Sequence, residues 1–64
     1  MAKPSNEQLI EWVERINQDG VNLTTWETEF IDSMTTKIAL YAEGAHFSDS
    51  QAEQIERIYT ERVP

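Results

Sequence analysis

Few side chains in this sequence are of the types that carry out catalysis or bind metals. His46 is the only histidine among 64 residues, and there is no cysteine. A histidine base needs a nucleophile and an orienting group within reach, and the hydroxyls of Ser48 and Ser50 have a better use at the start of a helix. Glu43 and His46 are too few ligands for a metal, and no zinc, calcium or phosphate-loop motif is present. We therefore expect no enzyme activity, catalytic residue, metal or cofactor.

The carboxylates form a more regular pattern. In two segments, acidic residues recur at positions i, i+4 and i+7, which places them in a row along one face of an α-helix. The first row consists of Glu7, Glu11 and Glu14, and the second of Asp49, Glu53 and Glu56. Each row is either a solvated face or a surface that docks on a basic partner. The pairs Glu11–Arg15, Glu53–Arg57 and Arg57–Glu61 have the spacing of weak helical ion pairs.

The overall charge limits the kinds of molecule that the protein can bind. Twelve Asp and Glu against five Lys and Arg give a net charge of −7 and a pI near 4.4. This balance argues against direct binding of nucleic acid, which needs cations opposite the phosphates, and against anionic membranes. It allows a protein partner with a basic surface. No apolar run approaches the ~20 residues of a membrane span, and we expect a cytoplasmic protein.

Helices must position these side chains, and the sequence marks where each helix begins. The S/T-x-x-E/Q capping pattern occurs three times, at Ser5–Gln8, Thr24–Glu27 and Ser48–Gln51. In this pattern the hydroxyl of the first residue accepts from the backbone amide of the fourth, and the side chain of the fourth accepts from the backbone amide of the first. Gly20 and Gly44 are placed to end the first two helices in the left-handed conformation. The predicted helices span about 5–18, 24–43 and 48–62.

Apolar residues at helical spacing give each predicted helix a wide apolar side, as three mutually packed helices require. We therefore predict an all-α, compact three-helix bundle that forms one domain over residues 1–64, with 1–4 as a short N-terminal tail. Trp26, Phe30, Met34 and Tyr41 are predicted core residues of the second helix, whose apolar side also includes Ile31, Ile38 and Ala42. Leu23 and Phe47 can close the ends of the core, and Val21 could do the same. Leu40 falls outside this apolar side and is a candidate anchor for a partner or for a second copy.

Two basic residues fall within the apolar sides. The stems of Lys37 and Arg62 can lie on apolar surface while their charges reach water. Alternatively, Arg62 pairs with a carboxylate, for which Glu27 is a candidate because it also faces inward.

The order of motifs over residues 23–63 resembles a short helical module of small phage and prophage proteins. The matching residues begin Leu23-Thr24-x-Trp26-Glu27-x-x-Phe30-Ile31-x-Ser33 and continue after a Gly-containing turn with Phe47-Ser48-x-x-Gln51-x-x-x-Ile55-x-x-Ile58-Tyr59. Phe47 stands where that module more usually has Leu. The resemblance implies a helical fold and a small accessory protein directed at a host or phage partner. It implies no catalytic residues.

Three functional hypotheses follow. The first is a small acidic, non-enzymatic phage-type protein that binds a host or phage protein through its helix surface and modulates it. The second is a nucleic-acid mimic, whose acidic rows inhibit a defence protein by occupying its phosphate-binding site. The third is a homodimeric structural module. The candidate partner-binding residues are Glu7, Glu11, Glu14, Asp49, Glu53, Glu56 and Leu40.

Overall fold

The computed structural model describes residues 4–64, apart from the side chain of Glu43. It contains three α-helices: α1 (Asn6–Asp19), α2 (Thr25–Tyr41) and α3 (Asp49–Arg62). A short 3₁₀ turn, Ala42–Gly44, follows α2, and no strand is present in the described chain. The predicted all-α three-helix bundle is thus confirmed. The expected tail, residues 1–4, lies outside the described residues except for Pro4.

The helices begin where the capping pattern predicts. In α2 the Thr24 hydroxyl accepts from the Glu27 amide, and the Glu27 carboxylate accepts from the Thr24 amide. In α3, Ser48 and Gln51 make the same reciprocal pair of bonds. At the start of α1 the structure shows the hydroxyl half alone, with Ser5 Oγ accepting from the amide of Gln8. Each cap satisfies amides that the first turn leaves without a helical partner.

The helix ends differ from the prediction, because neither glycine is left-handed. Gly20 has an extended backbone, with φ −64° and ψ 137°. A side chain there would place Cβ 2.5 Å from the carbonyl oxygen of Ile16, so Gly20 is needed for close approach. The positive φ angles fall instead on Asn22 and Ala42, at 57° and 48°. Ala42 therefore ends α2 two residues before the predicted boundary.

The core lies where the three helices meet. Its buried members come from every helix, and α1 approaches both of the others. They are Leu9, Val13 and Ile16 of α1, Ile31 and Met34 of α2, and Ile55 and Ile58 of α3. Half-buried residues surround them, among them Trp12, Phe30, Phe47 and Tyr59. The prediction that Met34 and Phe30 pack in the core is confirmed.

Two other predicted core residues of α2 are exposed, and that part of the prediction was wrong. Trp26 is 54% exposed and Tyr41 is 62% exposed, and Val21 is also on the surface. The Trp26 ring stacks on Phe30, with centroids 5.3 Å apart and planes 10° from parallel. These residues lie at the edge of a wide apolar side. A bundle of this size covers the middle of such a side and leaves its edge in water.

Candidate functional site

The two acidic rows lie on the surface of neighbouring helices. We call Glu7, Glu11 and Glu14 the α1 row, and Asp49, Glu53 and Glu56 the α3 row; all six residues are exposed. The helices that carry them pack together, and Trp12 of α1 stacks on Tyr59 of α3 with ring centroids 5.2 Å apart. Glu53 and Glu56 also line a shallow groove along α3 with Arg57, Thr60 and Glu61.

The cations of the described chain are engaged elsewhere. Arg15 pairs with Asp19, at 3.2 Å, rather than with Glu11. Arg57 pairs with Glu27 and Glu61 rather than with Glu53, each at 3.1 Å. The predicted Glu11–Arg15 and Glu53–Arg57 pairs were therefore wrong, and Arg57–Glu61 is confirmed.

Lys37 and Arg62 are also held away from the rows. The Lys37 Nζ lies 5.4 Å from the centre of the Phe47 ring and 3.4 Å from the Gln51 Oε1. Arg62 binds Glu27. Within residues 4–64, no ion pair neutralises five of the row carboxylates: Glu7, Glu11, Glu14, Glu53 and Glu56. Two neighbouring helices therefore carry charge that nothing in the described chain offsets.

Glu27 is the one buried charged residue of the described chain, with 2% of its surface exposed. Its Oε1 accepts from the Thr24 amide at 2.8 Å and from the Arg62 Nε at 3.1 Å. Its Oε2 accepts from the Arg57 Nη1 at 3.1 Å. The option that Arg62 pairs with Glu27 is thus confirmed. The contact between Arg57 and Glu27 was not predicted, because Glu61, four residues from Arg57, already offered it a partner on the same helix.

These bonds keep Glu27 ionised. The hydrogen bond from the Thr24 amide lowers the pKa of Glu27, burial acts in the opposite direction, and Arg57 and Arg62 lower it further. The hydrogen bond to Glu61 raises the pKa of Arg57, and the hydrogen bond to Glu27 raises it further. A general acid or base needs a pKa near the working pH and a free face toward a substrate. Glu27 has neither, so its position suits it to joining α2 to α3.

The outer side of α2 combines exposed apolar side chains with polar ones and with the exposed carboxylate of Glu29. Leu40 is 71% exposed, as predicted from its position on the helix, and Tyr41 and Trp26 are exposed on the same helix. Ser33 and Thr36 lie between them and are also exposed. Leu40 is therefore on a different helix from the acidic rows. The extent of this surface was not predicted, because Trp26 and Tyr41 were expected in the core.

His46 and Glu43 are the remaining residues that were considered for catalysis or metal binding. His46 is exposed, and its Nδ1 lies 3.5 Å from the Asn6 amide nitrogen, which donates to the Ala45 carbonyl at 2.6 Å. The Glu43 side chain, considered with His46 as a metal ligand, lies outside the described residues. No group of three or more potential metal ligands occurs in residues 4–64. None of the helices described is both long and apolar enough to traverse a bilayer.

Comparison with protein families gives no match for this chain, and comparisons with curated proteins and with solved structures give none either. The function is therefore inferred from the surface of the bundle.

Proposed function

We propose that this protein is a non-enzymatic binding protein that docks its α1 and α3 rows on a basic surface of a partner protein and thereby modulates that partner. The observation that carries the proposal is the charge arrangement. Five carboxylates of the rows are exposed and have no ion-pair partner within residues 4–64, while Arg15, Arg57 and Arg62 pair with other acids. The resemblance to small phage and prophage proteins suggests a host or phage partner in the cytoplasm.

Acidic side chains stand one helical turn apart within both rows. Glu7 and Glu11 are four residues apart on α1, and Asp49 and Glu53 are four residues apart on α3. Such like-charge pairs repel by a few tenths of a kcal/mol, while Glu7 and Asp49 are favoured by the helix dipole because they lie in first turns. Arg15 lies one turn from Glu11 but pairs with Asp19. An exposed acidic surface of this kind accelerates encounter with a basic partner and makes binding sensitive to salt.

A second candidate is mimicry of nucleic acid, and the spacing within each row favours it. With a rise of 1.5 Å per residue, carboxylates at i, i+4 and i+7 recur about every 4.5–6 Å along the helix axis. One DNA strand carries a charge every ~3.4 Å. The rows thus approach the linear charge density of a nucleic-acid strand. In this case the partner's basic surface would be its phosphate-binding site.

The direct test removes the α1 row without changing side-chain size. The triple variant Glu7→Gln, Glu11→Gln, Glu14→Gln lowers the negative charge by three. A matched control makes the same change in charge outside the rows, with Glu29→Gln, Asp32→Asn and Glu43→Gln, and leaves the ion pairs of Arg15 and Arg57 in place. Each protein serves as bait in extracts of the native host at about 50 and 300 mM salt, after circular dichroism has established that it folds.

We expect the unchanged protein and the control to retain the same partner at low salt, and the α1-row variant to lose it. High salt should weaken capture by at least tenfold. Equal capture by the row variant and the control would refute docking through the α1 row. A double-stranded DNA competitor then separates the two candidates, because only a mimic is displaced by nucleic acid from its partner.

A further inference from the structure

The outer side of α2 carries a stripe with no carboxylate in it. We define the α2 stripe as Trp26, Ser33, Leu40 and Tyr41. Trp26, Ser33 and Leu40 are seven residues apart, so they lie nearly in line along the helix. The three large members are more than half exposed. This stripe contrasts with the acidic rows of α1 and α3, and it suits contact with another apolar surface.

We infer that a second copy of this chain covers the α2 stripe, through antiparallel packing of α2 on α2 with Ser33 at the two-fold axis. The inference does not depend on the acidic rows. Trp26 and Leu40 are each seven residues from Ser33, one on either side. Reversing the second helix therefore sets the Trp26 of each copy level with the Leu40 of the other. Ser33 is small enough to let the two backbones approach at the centre.

The charges beside the stripe select this orientation. Glu29 and Lys37 are each four residues from Ser33, on opposite sides. In the antiparallel pair the Glu29 of one copy is level with the Lys37 of the other, which makes two ion pairs by symmetry. In a parallel pair, Glu29 would face Glu29 and Lys37 would face Lys37. Glu29 is exposed, and Lys37 is half-buried, with its Nζ 5.4 Å from the centre of the Phe47 ring and 3.4 Å from the Gln51 Oε1. Its side chain must turn away from these two groups to reach Glu29 of the other copy.

The exposed area predicts a weak dimer. Aromatic side chains bury about 150–250 Å² each, so the exposed parts of Trp26 and Tyr41 offer roughly 100 Å² each. With Leu40 added, two copies offer on the order of 600 Å² of apolar surface. A standard stable interface buries about 1,600 Å², slightly more than half of it apolar. The stripe therefore supplies about two-thirds of that apolar area, so we expect a dimer that dissociates reversibly.

The test measures self-association of the full chain by sedimentation equilibrium from about 5 to 500 µM. We expect reversible dimerisation, weakened at least tenfold by Leu40→Ser. Glu29→Lys should also weaken it, because the introduced ammonium group would then face Lys37 of the other copy. The double variant Glu29→Lys, Lys37→Glu should restore the original affinity within about threefold, since each pair is again of opposite charge.

The matched control is Glu11→Lys, which changes the net charge by the same two units on α1. Because lower net charge reduces repulsion between copies, this control should dimerise at least as well as the unchanged protein. A monomer at every concentration would overturn the inference. A dimer whose dissociation constant changes equally with Glu29→Lys and with Glu11→Lys would also overturn it. Circular dichroism melts establish that each variant folds. Self-association is measured on the chain alone, so its result is independent of the partner-capture experiment.

Discussion

Replacing Glu27 by Gln tests whether the buried carboxylate holds α2 against α3. The substitution preserves the size of the side chain and leaves an oxygen that can still accept from the Thr24 amide. It removes the charge that faces Arg57 and Arg62. Any loss of stability then reports mainly on the two ion pairs.

The expected loss is about 2 kcal/mol. Removing one member of a buried ion pair costs about 3–5 kcal/mol when the remaining charge stays buried. Here the side chains of Arg57 and Arg62 are 40% and 28% exposed, so both can turn toward water and the loss is smaller. Hydrogen bonds to charged groups contribute about 1.5–3 kcal/mol, which gives a similar value. A core of this size leaves only about 3–5 kcal/mol of net stability.

The effect of pH follows from the lowered pKa of Glu27. A carboxyl group whose pKa is lower in the folded protein stabilises the fold above its unfolded pKa, about 4.3 for Glu. That contribution is lost as the pH falls through the folded value. The difference in stability between the unchanged protein and Glu27→Gln should therefore be full at neutral pH and shrink as the pH falls below about 4. Taking the difference cancels the titration of the other carboxylates.

Thermal melts followed by circular dichroism measure both effects. For a domain this small, 1 kcal/mol shifts the Tm by about 4–8 °C, so Glu27→Gln should lower it by about 8–16 °C at pH 7. Glu61→Gln is the control, because it removes the exposed partner of Arg57 and should cost less than 1 kcal/mol. If the Tm of Glu27→Gln lies within 2 °C of that of the unchanged protein, Glu27 does not join the helices. The same conclusion would follow if the difference between the two Tm values did not change with pH.

Two further pairs of variants test the backbone and the core by the same melts. Gly20→Ala should lower the Tm, because the new Cβ would meet the Ile16 carbonyl oxygen at 2.5 Å, whereas Gly44→Ala meets nothing within 4 Å and should be neutral or slightly stabilising. Equal effects would refute this account of Gly20. Ile55→Ala should remove about 2–5 kcal/mol and leave little folded protein, since Ile55 is fully buried. Leu40→Ala should stay within about 0.5 kcal/mol in the monomer, and a larger loss would place Leu40 in the core.

The candidate surface could be predicted from the sequence only in part. The spacing of Glu7, Glu11 and Glu14 placed them together, because a row on one helix depends on the helix alone. The partners of Arg15 and Arg57 could not be predicted in this way. Each arginine has carboxylates within one turn on its own helix, and Arg57 also reaches Glu27, thirty residues away in the sequence. The choice among them depends on how the helices are placed.

The sequence by itself determined the three helices, their starts and the middle of their apolar sides. Those features depend on contacts within one or two turns, such as the bonds between Thr24 and Glu27. Only the tertiary structure decided which edges of the apolar sides are covered. It buried Glu27 between two arginines and left Trp26 and Tyr41 in water. The physical reason is that the periodicity of a helix gives the middle of its buried side, whereas the neighbouring helices set how far that side is covered and which of its edges meets water.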